Sequence, residues 1–188
     1  MIRGGSRYSI LIAVNLIASA VMLVIFLGSA YTSADQLTSQ VLGSQAVTPA
    51  NYSNEILTQT AYAINELREK EGLPQLSQSE ELDQLATKRA ADMQKFSYYA
   101  HRDSSGKFFS DYMKEQAIPY SYACENLNIS ASPSSNYFVK SWLESTAGHK
   151  ECILKGSHRA AGYATATITS LSGIPVNETV VVAIYSDI

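Results

Sequence analysis

Residues 162–170 read GYATATITS and residues 178–186 read ETVVVAIYS. The first stretch alternates small and β-prone side chains, and the second is an unbroken apolar, β-branched run. Between them, Ser172-Gly173-Ile174-Pro175 has the composition of a turn. The two runs predict an antiparallel hairpin. Upstream the apolar period changes from two to about 3.6. Ile56, Leu57, Thr60, Ala61, Ile64 and Leu67 make one helical stripe, entered near Ser53 and stopped by Gly72 and Pro74. Leu82, Leu85, Ala86, Ala90, Met93 and Phe96 make a second, after Ser79 with Glu80 and Glu81 in its first turn. Phe138, Val139, Trp142 and Leu143 make a third, and a short helix is expected near 109–117, ending at Pro119. A further strand is expected near Tyr120–Ile129. Helices with a small antiparallel sheet mean an α+β domain.

The chain has 188 residues, enough for one real core. No charged residue lies between Arg7 and Asp35, and Ile10 to Leu27 is apolar except for Asn15 and Ser19. A helix of that length can cross a bilayer, and Arg3 and Arg7 would keep its start in the cytoplasm. A cleaved secretory signal is the competing reading, with Gly28-Ser29-Ala30 or Thr32-Ser33-Ala34 as the cleavage region. Both readings place the remainder outside the cytoplasm. Residues 35–54 are rich in Gln, Ser, Thr and Ala and read as a tether, leaving 55–188 as the folded domain. The formal net charge of −3 and pI of about 5.6 argue against nucleic acid as a partner. Asn51, Asn128 and Asn177 each begin a glycosylation-type triplet, a pattern too short to carry weight.

Of three histidines, His101 follows the second helix in FSYYAHRD and His149 follows the helix carrying Trp142 and Glu144. Glu125 lies between Cys124 and Asn126-Leu127 in the expected strand, where a carboxylate needs a partner. Two imidazoles and one or two carboxylates in one cleft can ligate a divalent metal or act as acid and base. The plainer alternative is that each histidine is a half-exposed hydrogen-bonding residue.

The order of these motifs resembles the CAP superfamily: cysteine-rich secretory proteins, insect antigen 5 and plant pathogenesis-related proteins, and in particular bacterial SCP-like extracellular proteins. The resemblance spans about 55–188. It rests on Ile64-Asn65-Glu66-Leu67-Arg68 with Gly72-Leu73-Pro74-Gln75-Leu76, on Tyr99-Ala100-His101-Arg102-Asp103 with Gly106, on Cys124-Glu125-Asn126-Leu127, on WLESTAGHKECIL at 142–154, and on Ala161-Gly162-Tyr163-Ala164. It implies a three-layer α-β-α sandwich whose cleft holds two histidines and two acids, with Zn²⁺ or Mg²⁺ bound in some members. Carried over, the histidines are His101 and His149, which would be the metal ligands, and the first acid is Glu125. The second acid is open, because Ser145 stands at its position and Glu144 one residue earlier. His158 matches no site position and is expected to serve an ordinary surface role.

Cys124 and Cys152 sit beside the Glu125 and His149 motifs. If these line one cleft, the sulfurs are near each other and a disulfide is expected. A pair of free thiols and a cysteine nucleophile beside His149 are the alternatives. The resemblance implies an extracytoplasmic module that binds a lipid, a cell-wall component or a protein partner. The alternative is a metal-assisted hydrolase of peptide or envelope polymer, with Glu125 as base. An inherited but unused cleft is a third possibility. Tyr98-Tyr99 and Tyr120-Ser121-Tyr122 are candidates for an aromatic groove wall.

Overall fold

In a computed structural model of the chain, residues 49–169 and 177–188 are described; the apolar segment 8–34, the tether up to residue 48 and the Ser172–Pro175 turn lie outside them. In chain order the elements are α1 (Pro49–Lys70), β1 (Ser77–Gln78), α2 (Glu80–Phe96), α3 (Phe109–Glu115), β2 (Ala123–Ser130), α4 (Ser135–Glu144), α5 (His149–Ile153), β3 (Ala160–Thr169) and β4 (Asn177–Ser186). Helix α1 starts at Pro49, before Ser53, so residues 49–54 are helical rather than tether. Among the described residues no helix is long and apolar enough to cross a membrane.

The strand order is β1-β3-β4-β2. β3 pairs antiparallel with β4 from Ala160↔Ser186 to Thr169↔Asn177, as the two runs predict. β2 pairs antiparallel with the other side of β4. The sheet is nevertheless mixed, because the two-residue β1 runs parallel to β3. This corrects the expectation of a purely antiparallel sheet: β1 returns from α1 to the sheet edge and α2 begins at once.

The apolar run in β4 is unbroken because helices cover both faces of the sheet. Val181, Ala183 and Tyr185 face one core with Ile56 and Ile64 of α1, Phe138, Val139 and Trp142 of α4, and Ile153 of α5. Val180, Val182 and Ile184 face the other, with Leu82, Leu85, Ala86, Ala90 and Met93 of α2 and Met113 of α3. This is the period of two expressed in two cores, and it makes the three layers. Gly162 lets α2 lie against β3: a Cβ there would fall inside the backbone of Leu82 and Asp83. Ser79 caps α2 by accepting from Leu82 N–H.

Edge strand β2 does not present a bare ladder to solvent. The Trp142 indole N–H donates to Leu127 O at 2.9 Å, and Asn128 Oδ1 accepts from Ile129 N–H at 2.8 Å. These contacts blunt the edge against pairing with another chain. Asn128 is buried, so its glycosylation-type triplet is no acceptor.

Among the described residues, two arginines are fully enclosed. Arg68, at the end of α1, donates to the carbonyls of Pro74, Ile153, Lys155 and His158, binding the α1 turn to the segment after α5. His158 is also fully buried, which corrects its assignment to the surface. The KGSHR stretch looks exposed in composition, but Arg68 draws its carbonyls inward and the ring stacks on Tyr185.

Candidate functional site

The second buried arginine organises the site. Arg89 lies on the apolar stripe of α2, in step with Leu82, Leu85, Ala86 and Met93. Its Nε donates to Glu125 Oε1 at 2.9 Å. Its Nη2 donates to Ala100 O and His101 O, both at 2.8 Å, and its Nη1 to Tyr98 OH at 3.3 Å. One side chain therefore neutralises the strand carboxylate and fixes the loop that carries His101. Burial works against the charge on Arg89, but the Glu125 carboxylate outweighs it and holds the guanidinium pKa up.

Glu125 points from β2 towards α2. Its second oxygen, Oε2, meets His101 Nδ1 at 2.8 Å. The carboxylate is almost fully enclosed, while the His101 side chain is about half exposed, at 49%. That bond sets the Nδ1–H tautomer of neutral His101 and leaves Nε2 for the cleft. On the other side of β2, His149 opens α5 immediately after Gly148, whose φ of 89° suits glycine. The rings of His101 and His149 lie 6.5 Å apart between centroids, tilted by 34°. Burial and the facing His101 lower the pKa of His149, favouring neutral imidazole.

Ser145 occupies the open fourth position. Its Oγ lies 2.8 Å from His149 Nδ1 and accepts from Ala147 N–H at 3.1 Å. Glu144 is exposed at the edge of the same groove as Ser145 and His149, 3.8 Å from Lys140 one helical turn away. A groove of about 560 Å³ opens from His149 and is lined by Tyr99, Leu127, Asn128, Tyr137, Lys140 and Ser145 among others. Tyr99 lies on this wall, as its tyrosine-rich segment suggests, and burial raises its pKa to about 12. Tyr122 instead stands over the His158 ring, beneath Lys155.

The donor set for a metal is two imidazoles. Both oxygens of Glu125 are engaged, and among the described residues no three His, Cys, Asp or Glu side chains gather to hold an ion. A catalytic zinc takes three protein ligands, so the residues present do not fit one.

Cys124 and Cys152 form a disulfide, joining β2 beside Glu125 to α5 beside His149. The structure thus brings His101, Glu125, Ser145 and His149 together and leaves Glu144 on the groove lip. Arg89 escaped the sequence reading. Its signal was a charge in step with the apolar stripe of α2, opposite a strand carboxylate that needed a partner.

The sequence profile of the CAP family (Cysteine-rich secretory protein family) matches residues 61–185. No curated protein matches the chain. Among solved structures, an extracellular protein containing an SCP domain from Bacillus anthracis aligns with TM-score 0.59 and 18% identity, over 76% of this chain and 45% of that one. An outer surface protein from Borrelia burgdorferi aligns with TM-score 0.57 and 19% identity, over 70% and 92%. A cysteine-rich secretory protein from Staphylococcus aureus aligns with TM-score 0.55 and 15% identity, over 74% and 40%. The chain spans less than half of the Bacillus and Staphylococcus proteins, and at these identities the likeness is one of fold. With the family profile over most of its length and the sandwich in place, this chain belongs to the CAP family.

Proposed function

We propose that the chain is an extracytoplasmic CAP-domain binding module of the cell envelope, taking its ligand in the His101–His149 cleft and the adjoining groove. The observation that carries this is the groove itself: about 560 Å³, walled by Tyr99 and Tyr137 and reaching His149, whose ring faces that of His101 at 6.5 Å. Aromatic walls with a few placed polar groups suit an organic ligand. The apolar segment 8–34, as anchor or signal, supports placement outside the membrane, as do the extracellular and outer-surface descriptions of the similar structures. Lipid, cell-wall fragment and protein segment are the ligand classes to screen.

The hydrolase reading is weaker, because the Glu125 carboxylate is enclosed and both its oxygens are already engaged, by Arg89 and His101. Two imidazoles would make at most a weak, exchangeable site for Zn²⁺, and a poorer one for Mg²⁺, which prefers oxygen ligands.

The test is a binding screen of the full chain against lipid vesicles, peptidoglycan fragments and envelope peptides, with Tyr99→Ala/Tyr137→Ala and His101→Ala/His149→Ala variants. Saturable binding lost in the tyrosine variant supports the reading. Binding that survives both variants refutes it. A zinc titration by calorimetry on the same proteins checks the metal: binding lost only in the histidine variant shows the imidazoles as its ligands.

A further inference from the structure

Helix α5 carries His149 but cannot hold it. It has five residues, far below the ~12–15 that an isolated helix needs even for marginal stability. Its last turn is seated in the core by Ile153, and contacts at its two ends fix the rest. At its last residue and just beyond it, Arg68 takes the carbonyls of Ile153 at 2.6 Å and Lys155 at 3.1 Å. At its first turn, Asn126 Nδ2 donates to His149 O at 3.0 Å, and Ser145 Oγ meets the imidazole. Those two contacts are single neutral hydrogen bonds, each contributing about 1 kcal/mol. The covalent contact is Cys124–Cys152, with Cα atoms 6.1 Å apart.

The placement of this bond is what matters. Cys152 follows His149 by three residues, so both lie on one side of the helix. Cys124 directly precedes Glu125, and adjacent strand residues point to opposite faces. Accordingly Cys124 packs with the α1 and α4 core, while Glu125 reaches Arg89 on the α2 side. The two histidines come from different layers, His101 from the α2 side and His149 from the α5 side. They meet across β2, and the disulfide ties the His149 layer to that strand.

We propose that the Cys124–Cys152 bond is a positioning element of the cleft, holding His149 opposite the Glu125–His101 pair, and that an external dithiol releases His149 while the sandwich stays folded. The chemistry is thiol–disulfide exchange. A dithiol thiolate attacks Sγ of Cys124, the less buried of the two residues, and Cys152 leaves as thiolate. The second dithiol sulfur closes on the first and releases Cys124. The protein gains two electrons and two protons as two thiols, and the dithiol becomes a cyclic disulfide. The inference rests on the cleft being the functional site, but its test needs no ligand.

The experiment compares the full chain, oxidised and after dithiothreitol, with a Cys124→Ala/Cys152→Ala variant. Hydrogen exchange is read across all elements, and the imidazole NMR signals of His101 and His149 are followed. The expected result is about tenfold or greater acceleration of exchange confined to 149–153. The His149 signals should move, while β3 and β4 keep their protection and His101 keeps its Glu125-bound signal. Unchanged exchange at 149–153 with unmoved His149 signals overturns the inference. So does loss of protection throughout the sheet, because the bond would then serve the whole fold. If the variant does not fold, reduction of the native protein gives the same readout. A cleft that opens on reduction in a protein that binds nothing when oxidised upholds this inference and removes the binding reading.

Discussion

Acid should weaken this domain through one buried ring. His158 has no solvent exposure, and neither ring nitrogen makes a well-formed hydrogen bond. Tyr122 and Tyr185 flank it at 5.5 and 6.1 Å. Burial pushes its pKa down from 6.5 to about 4, and the nearby Arg68 and Lys155 cations act the same way; the Cys152 carbonyl and Asp187 oppose them. Between those pH values the unfolded chain binds the proton that the folded chain refuses. Stability is therefore intact above pH 6.5 and falls as the pH drops towards 4. At about 1.4 kcal/mol per pH unit, the loss comes to about 3.5 kcal/mol in full, and about 2.5 kcal/mol of it falls between pH 7 and 4.5. The perturbation is His158→Phe, which keeps the ring between the tyrosines and removes the proton site. The assay is urea denaturation of both proteins at pH 7 and 4.5. At pH 7 the two should agree within about 1 kcal/mol, since no well-formed hydrogen bond is lost. At pH 4.5 the variant should be more stable by about 2 kcal/mol. Equal acid losses in the two proteins would refute the argument, because the acid sensitivity would then lie in other groups such as His149.

Arg89→Met should cost about 3–5 kcal/mol by leaving Glu125 buried without its counterion, and adding Glu125→Leu should recover much of it; denaturation midpoints of the two variants check this, and no recovery in the double variant would show that Arg89 acts mainly through the Ala100 and His101 carbonyls. Gly162→Ala should cost about 3 kcal/mol or more, because the new methyl meets the α2 backbone rather than a movable side chain; an unchanged midpoint would mean that α2 does not approach β3 so closely. Trp142→Phe should cost about 1–3 kcal/mol by leaving Leu127 O without its donor, and hydrogen exchange should rise first along β2. Ser145→Ala should leave the fold intact while freeing the His149 ring; an unmoved His149 NMR signal would show that Ser145 does not orient it.

The helical stripes and the hairpin were legible because each is a local pattern with its own period. Leu82, Leu85, Ala86, Ala90 and Met93 face one core as their spacing requires, and ETVVVAIYS forms the central strand that an unbroken apolar run suits. The histidine pair, Glu125 and the disulfide came from motif order, since no local period relates His101 to Glu125 and His149. β1 was not legible: two exposed residues carry no periodicity, and only their pairing with Ala160 and Ala161 makes them a strand. Ser145 and Glu144 could not be ranked from sequence, because adjacent helical positions differ by about 100° and the helix ends there.

His158 and Arg89 show where reading residues one at a time stops. Both are polar residues in polar-looking neighbourhoods, and both are enclosed by partners far along the chain: Arg68 for the one, Glu125 and the Ala100 and His101 carbonyls for the other. Periodicity and motif order are properties of a line, so the main helices, the hairpin strands and the grouping of His101, Glu125 and His149 could be read along the chain. Only the tertiary structure decided which charges are buried, which carboxylate is neutralised and how far apart the two imidazoles stand, because these depend on contacts between layers that only packing brings together.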